Sequence, residues 1–200
     1  MERFSTLEGM ACPLGLANVD TDQLIPARFM KRSRSDGYGG FLLHDLRFNA
    51  QGLPLKDFIL NQPAYTAAKI IIARHNFGTG SSREAAVYAL WDYGIRCVIA
   101  PSFGDIFAAN AVKNGLLPAQ VSEADAALLL SETGPFSIDL AAQSITTRQG
   151  RIGFSIDPVR RLQLLNGWDD LDLTLRHTDA ISAFRAVRSI AKPWVWPQHR

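Results

Sequence analysis

The nine residues Asn76-Phe77-Gly78-Thr79-Gly80-Ser81-Ser82-Arg83-Glu84 place two glycines, a threonine, two serines and one arginine between an apolar run and a helical pattern. A strand that ends in such a tract and feeds a helix start presents backbone N–H groups that have no intrahelical carbonyl to bond. Glycine allows close approach of the backbone, the serines add hydroxyls, and the guanidinium of Arg83 matches a carboxylate or phosphate with two parallel donors. The chemistry on offer is therefore anion binding. The tract lacks the lysine and spacing of a phosphate-binding P-loop and has no G-x-G-x-x-G run, which argues against ATP or a dinucleotide. Taken alone it has a plainer reading too: Ser81 or Ser82 caps the helix and Arg83 pairs with a surface carboxylate.

The elements around the tract follow from apolar periodicity. Ile70 to Ala73 form a short continuous apolar run suited to a strand buried on both faces. After the tract, Ala85, Ala86, Tyr88, Ala89, Leu90 and Tyr93 keep helical spacing up to Gly94. RCVIAP, SFGDIFAANAVKNG and LLPAQV then repeat strand, helix and strand, which predicts an α/β core with parallel strands. Ser122 with Asp125 reads as a capping box opening a short helix through Leu130. FSIDL, QSITTR and IGFSI alternate apolar and polar residues around a turn at Gln149 and Gly150, predicting a β-hairpin. Two further helices are expected, around Val159 to Leu165 with Gly167 as stop, and around Asp179 to Val187. Before the core, Phe4, Leu7 and Leu14 suggest a short strand or two leading into LANVDTDQLIP, a polar loop on a core edge. Residues 30–41, MKRSRSDGYGGF, combine a basic cluster with three glycines and no periodicity, and are expected to be mobile without a ligand or partner.

The 200 residues, 47 % of them hydrophobic, are enough for one domain with a substantial core, and no repeat or linker divides them. The 21 basic and 19 acidic residues are interspersed and leave a net charge of +2, which implies neither nucleic-acid nor membrane binding. Two cysteines, Cys12 and Cys97, have no metal spacing and read as reduced thiols of a soluble, cytoplasmic protein. The N-terminal stretch lacks a secretory pattern, and no apolar run is long enough to span a bilayer. His44, His75, His177 and His199 show no ligand spacing, so no metal is assigned to this chain.

NVDTDQLIPARF, NFGTGSSRE, DYGIRCVIAPSFGDIF and NGLLP, in this order and at these separations, resemble the small subunits of 3-isopropylmalate dehydratase, which are related to the swivelling domain of aconitase. The resemblance continues through RRLQLLNGWDDLDLTL and HTDAISAF and so covers nearly the whole chain. It implies a single swivelling domain over residues 1–200, a three-layer β/β/α arrangement with a mostly parallel core sheet and an added hairpin. The implied activity is that of a hydro-lyase of leucine biosynthesis that interconverts 2-isopropylmalate and 3-isopropylmalate through an unsaturated intermediate. In this family a [4Fe-4S] cluster is held by a separate large subunit, so the implied partners are that subunit and a small dicarboxylate hydroxy acid.

By the same resemblance Ser81 is the base that removes a proton next to a carboxylate, Arg83 grips that carboxylate, and Asp22 is an active-site acid group. The amides of the Gly80 to Arg83 turn are the implied donors to the serine oxyanion. Thr79, Gly80 and Ser82 complete the substrate-binding set, with Arg32 and Arg34 contributed by the recognition loop at residues 30–41. Outside the resemblance, Asp22 reads as an Asx turn, and Arg32 and Arg34 taken singly read more simply as solvated surface charge. Three positions depart from the family pattern. Ala85 stands where histidine is usual, Thr79 where cysteine is usual, and Asp45-Leu46-Arg47 where D-W-R is common. These departures bear on the substrate, so a related hydro-lyase acting on citramalate, homoaconitate or another malate-like acid is the first alternative. A non-catalytic anion-binding domain on the same scaffold is the second.

Overall fold

A run of three isoleucines offers side chains to both faces of a sheet at once, because successive residues of a strand point to opposite sides. In the computed structural model, which describes residues 1–196, that run is a central strand. The elements in chain order are β1 (Thr6–Pro13), α1 (Thr21–Leu24), α2 (His44–Arg47), β2 (Ile70–Ile72), α3 (Glu84–Tyr93), β3 (Cys97–Ala100), α4 (Asp105–Lys113), β4 (Leu117–Gln120), α5 (Glu123–Ser131), β5 (Pro135–Asp139), β6 (Ser144–Thr146), β7 (Arg151–Gly153), α6 (Pro158–Asn166), α7 (Asp170–Leu175) and α8 (Thr178–Ala191). The chain divides into two units, residues 1–167 and 168–200. The second holds α7, opened by a capping box from Asp169, and the longer α8. His199, which the sequence reading left without a metal role, lies outside the described residues.

The first unit is built on a seven-stranded sheet in the order β4-β3-β2-β1-β5-β6-β7. Strands β1 to β4 run parallel, as expected for the core. Strands β5 to β7 continue it antiparallel from the other side of β1, so the predicted hairpin is part of a three-stranded meander. The N-terminal segment, read only as a short strand or two, is thus the shared strand of both halves.

Side-chain alternation sorts the core into two layers. Cys12, Ile71 and Val98 face one side, where α3 packs through Ala86, Val87, Ala89 and Leu90. Ala11, Ile70, Ile72, Cys97 and Ile99 face the other, covered by Ala126 and Leu129 of α5 and Leu164 of α6. Helix α4 gives Phe107 and Ala111 to the first layer and Val112 to the second. Ser122 caps α5 by accepting from the Asp125 amide at 3.0 Å, and Gly94 closes α3 at a positive φ of 110°, both at the predicted positions.

Residues 30–41 are not shapeless. They form short 3-10 turns at Ala27–Lys31, Arg34–Asp36 and Gly39–Phe41. Asp92, near the end of α3, anchors them: its carboxylate accepts both terminal nitrogens of Arg34 and the Tyr38 amide at 2.7 Å. Gly39 lies so close to the Asp92–Tyr93 backbone that a Cβ there would meet it at 2.6 Å. The expectation of a mobile loop overlooked these contacts because they reach 54 residues along the chain. Among the described residues, no helix is long and apolar enough to cross a membrane.

Candidate functional site at the carboxyl edge of the parallel strands

In parallel sheets, ligands sit beyond the carboxyl ends of the strands, where connecting loops are free to carry function. The loops leaving β1, β2 and β3 meet there and extend the sheet by a few further bonds. The Asn18 amide donates to His75 O at 2.9 Å, the Gly78 amide to Val19 O at 2.7 Å, and the Phe77 amide to Ser102 O at 3.0 Å. Asn76 donates through its side chain to Asn18 Oδ1 at 3.0 Å and through its backbone to Ser102 Oγ at 2.8 Å. The glycine-serine tract is therefore fixed on both flanks before it reaches the helix.

Two glycines have duties the sequence did not reveal. Gly78 lies at φ 73°, and a Cβ on it would sit 2.1 Å from the Phe107 ring, so the residue lets α4 close onto the tract. Gly80, at φ 93°, turns the chain beside Thr21, whose Oγ1 would lie 3.6 Å from a Cβ at that position. The closeness that Gly78 permits is thus to the protein's own Phe107 ring. Sequence alone gives no sign of which neighbour a glycine admits.

Helix α3 starts at Glu84 with Arg83 as its N-cap, and no side chain caps it. Neither Ser81 nor Ser82 takes that role, and the plainer reading of the two serines finds no support. Both are exposed. Among the described residues, the backbone N–H groups of Gly80, Ser81, Ser82 and Arg83 have no protein acceptor. Free amides and exposed hydroxyls thus share one turn.

Asp22 projects from the first turn of α1, which Asp20 and Gln23 close with a capping box. The Asx role expected of Asp22 therefore falls to Asp20. Asp22 instead accepts a hydrogen bond and an ion pair from Nη1 of Arg83. The Arg83 side chain is 19 % exposed and the Asp22 side chain 53 %, so the pair is sheltered on the arginine side and open on the carboxylate side. Nη1 is the one guanidinium nitrogen used, and among the described residues Nε and Nη2 have no protein acceptor.

Ser81, Ser82, Arg83, Asp22, Thr79 and Gly80 thus lie on one edge. Thr79 joins it by a bridge to Asp20. Arg34 sits on Asp92, with its guanidinium 4.4 Å over the Tyr88 ring, and Arg32 lies 5.5 Å over Phe41. Burial raises the Tyr88 hydroxyl above its usual pKa, with Glu84 adding to the shift. Arg47 is held by Asn61 at 3.0 Å and Leu42 O at 3.2 Å, and burial lowers its pKa. The residue that sequence reasoning passed over is Thr21. It is 2 % exposed and donates from Oγ1 to Ser81 O at 2.9 Å. Its only signal was its place between two aspartates of the matched motif.

Among the described residues no three His, Cys, Asp or Glu side chains are grouped to hold a metal ion. Cys12 and Cys97 are fully buried on opposite faces of the sheet.

The sheet and its loaded carboxyl edge place the chain in a class, and comparison with known proteins specifies it. The family model of the aconitase C-terminal domain matches residues 1–124, and that of the C-terminal domain of the 3-isopropylmalate dehydratase small subunit matches residues 170–197. The 3-isopropylmalate dehydratase small subunit of Rhodospirillum centenum is 49 % identical over 97 % of this chain and 98 % of its own. The one from Caulobacter vibrioides is 47 % identical over 98 % and 99 %. The crystal structure of the Methanocaldococcus jannaschii 3-isopropylmalate dehydratase superposes with a TM-score of 0.65 at 27 % identity, covering 89 % of this chain and 99 % of that one. The chain belongs to the family of 3-isopropylmalate dehydratase small subunits, hydro-lyase components within the aconitase family.

Proposed function

We propose that this chain supplies the proton-abstracting, carboxylate-binding wall of an enzyme that interconverts 3-isopropylmalate and 2-isopropylmalate. The observation that carries the proposal is the convergence of Ser81, the unpartnered amides of its turn and the Asp22–Arg83 pair on one open edge. Ser81, as its alkoxide, takes the proton from the carbon next to a substrate carboxylate. Arg83 holds that carboxylate with the donors Asp22 leaves free, which also makes the adjacent C–H more acidic. The hydroxyl on the neighbouring carbon takes up a proton delivered through the site's acid group and leaves as water, giving the unsaturated acid and a protonated Ser81, and the reverse steps at the other carbon return that proton and water to complete the isomerisation. Asp22 keeps the guanidinium in register and is the acid group of the site. Ser82, Thr79 and Gly80 line the bound carboxylates.

The name of the family implies a large subunit as partner. On our reading that partner holds a [4Fe-4S] cluster and forms the facing wall, and a Lewis acid there would bind the leaving hydroxyl. An alkoxide is stabilised by fixed donors only where water is excluded, and Ser81 is exposed in this chain alone. The site becomes competent when the partner covers it. Two free, buried thiols suit a reducing compartment, which supports a cytoplasmic location.

The test is anaerobic mixing of this chain with the large subunit and assay of the unsaturated acid formed from 3-isopropylmalate. Turnover that needs both chains, and is lost in Ser81→Ala without loss of assembly, is the expected result. Undiminished turnover in Ser81→Ala would remove Ser81 as the base, and a stable complex inactive on this acid but active on another malate-like acid would reassign the substrate.

A further inference from the structure

Thr21 is buried, yet it is bonded to the serine turn twice. Its backbone N–H donates to Thr79 O at 2.9 Å, and its hydroxyl donates to Ser81 O at 2.9 Å. One residue therefore grips two alternate carbonyls of the tract.

In a planar trans peptide the C=O and the following N–H point in opposite directions. Drawing the Thr79 carbonyl inward turns the Gly80 N–H outward, and drawing the Ser81 carbonyl inward turns the Ser82 N–H outward. These two amides are among the donors without a protein acceptor, and both belong to exposed residues. Gly80 makes the arrangement possible: its φ of 93°, in the left-handed region that favours glycine, reverses the chain between the two gripped peptides.

We propose that Thr21 is a positioning residue that aims the Gly80 and Ser82 amides at the substrate face and so fixes the orientation of the serine turn. The proposal rests on the reading of Ser81 as the base. Thr21 touches no substrate. It acts through two peptide planes, and the hydroxyl controls the second of them alone.

The hydroxyl can be removed without changing the side chain's volume. Thr21→Val keeps both methyl-sized branches and the backbone bond to Thr79. In the enzyme assembled with its large subunit, Thr21→Val is expected to lower kcat about 10- to 100-fold, the scale on which small misplacements of reacting groups act, with KM within about 2-fold. The melting temperature of the isolated chain should stay within about 4 °C of the parent. Thr21→Ser, which retains the hydroxyl, should restore kcat. Ser81→Ala is measured alongside. If Ser81→Ala is inactive while Thr21→Val turns over at the parental rate, the positioning role is overturned and the serine assignment survives. If Ser81→Ala itself turns over normally, the underlying reading falls instead. Loss of kcat in both Thr21→Val and Thr21→Ser would also overturn the proposal, because the hydroxyl would not be the operative group.

Discussion

Arg83 and Asp22, 61 positions apart in the chain, form an ion pair that spends one guanidinium nitrogen and, among the described residues, leaves the other two without a protein acceptor. Arg83 thus pairs with a half-exposed carboxylate of another element, α1, as the plainer sequence reading expected of the arginine. The pairing also separates the two residues' contributions. Arg83→Lys preserves the charge and can still reach Asp22, but an ammonium has no second in-plane donor for a carboxylate. The expected outcome in the assembled enzyme is a raised KM and a lowered kcat together, with kcat/KM down by about 100-fold or more. Asp22→Asn keeps an acceptor for Arg83 and removes the acid group. Steady-state kinetics should then show kcat falling by about 100-fold or more with KM little changed, and a change in KM alone would reduce Asp22 to a holder of Arg83.

A second prediction concerns residues 30–41. Asp92 accepts three hydrogen bonds from this segment, and its side chain is 16 % exposed. Arg34 is 45 % exposed, so its share of the ion pair is small in water, whereas the bond from the Tyr38 amide to a sheltered charged acceptor is worth about 1.5–3 kcal/mol. Asp92→Ala should therefore release the turns locally and leave the sheet intact. Trypsin cleavage after Arg32 and Arg34 is expected to quicken by about 10-fold or more, on the logic that local opening sets the rate. Cleavage at the parental rate would mean that the packing of Gly39 and Tyr38 holds the segment alone.

The thiols give a prediction with a defined sign. Burial pushes Cys12 up to about 12 and raises Cys97 further still. Both stay protonated in the folded chain, while in the unfolded chain each ionises above its ordinary value near 9. A folded pKa above the unfolded one means the stabilisation is complete below pH 9 and is lost as pH rises towards 12, by about 1.4 kcal/mol per thiol at pH 10. Urea unfolding at pH 8 and pH 10 should show this loss, and Cys12→Ala should remove one thiol's share of it. At pH 8 neither cysteine should react with a thiol reagent until the chain unfolds, so the rate of labelling becomes a measure of unfolding. Rapid labelling of native protein would contradict the burial of both sulfurs.

How much of this could be read from the chain follows from how local each feature is. Helix α3, its stop at Gly94 and the cap at Ser122 are decided within a few residues, and the sequence places them correctly. The three isoleucines of β2 announce two-sided burial because nothing polar interrupts them. The part played by β1 was hidden, since Glu8 and Gly9 interrupt its apolar pattern and its partners lie far along the chain. Helix α7, between the two helices expected at the end of the chain, went unread, as it spans only 6 residues and buries none of them.

Within the site, residue types and spacing led to the serine tract and the family resemblance to Asp22, while the arrangement of those residues came from contacts between loops. Thr21 looked like one more turn-former beside two aspartates. Its importance rests on a carbonyl 60 residues away, which no local pattern encodes. The same holds for Gly78: a glycine before threonine reads as freedom for a ligand to approach, and the neighbour it admits is the ring of Phe107.

Strand β1 is hydrogen-bonded on both sides, to β2 from Ala11 onward and to β5 from Thr6 to Met10. Of the seven strands of the sheet it is the earliest in the chain, and its pairing partner for Thr6 is Asp139. During synthesis the strand at the heart of the sheet must wait for Asp139 to emerge before its second edge can be closed. Loop closure over such a distance is slow, and an open edge invites pairing with another chain. The nascent protein is therefore most exposed to misassociation through the same strand that, once paired, joins its two halves.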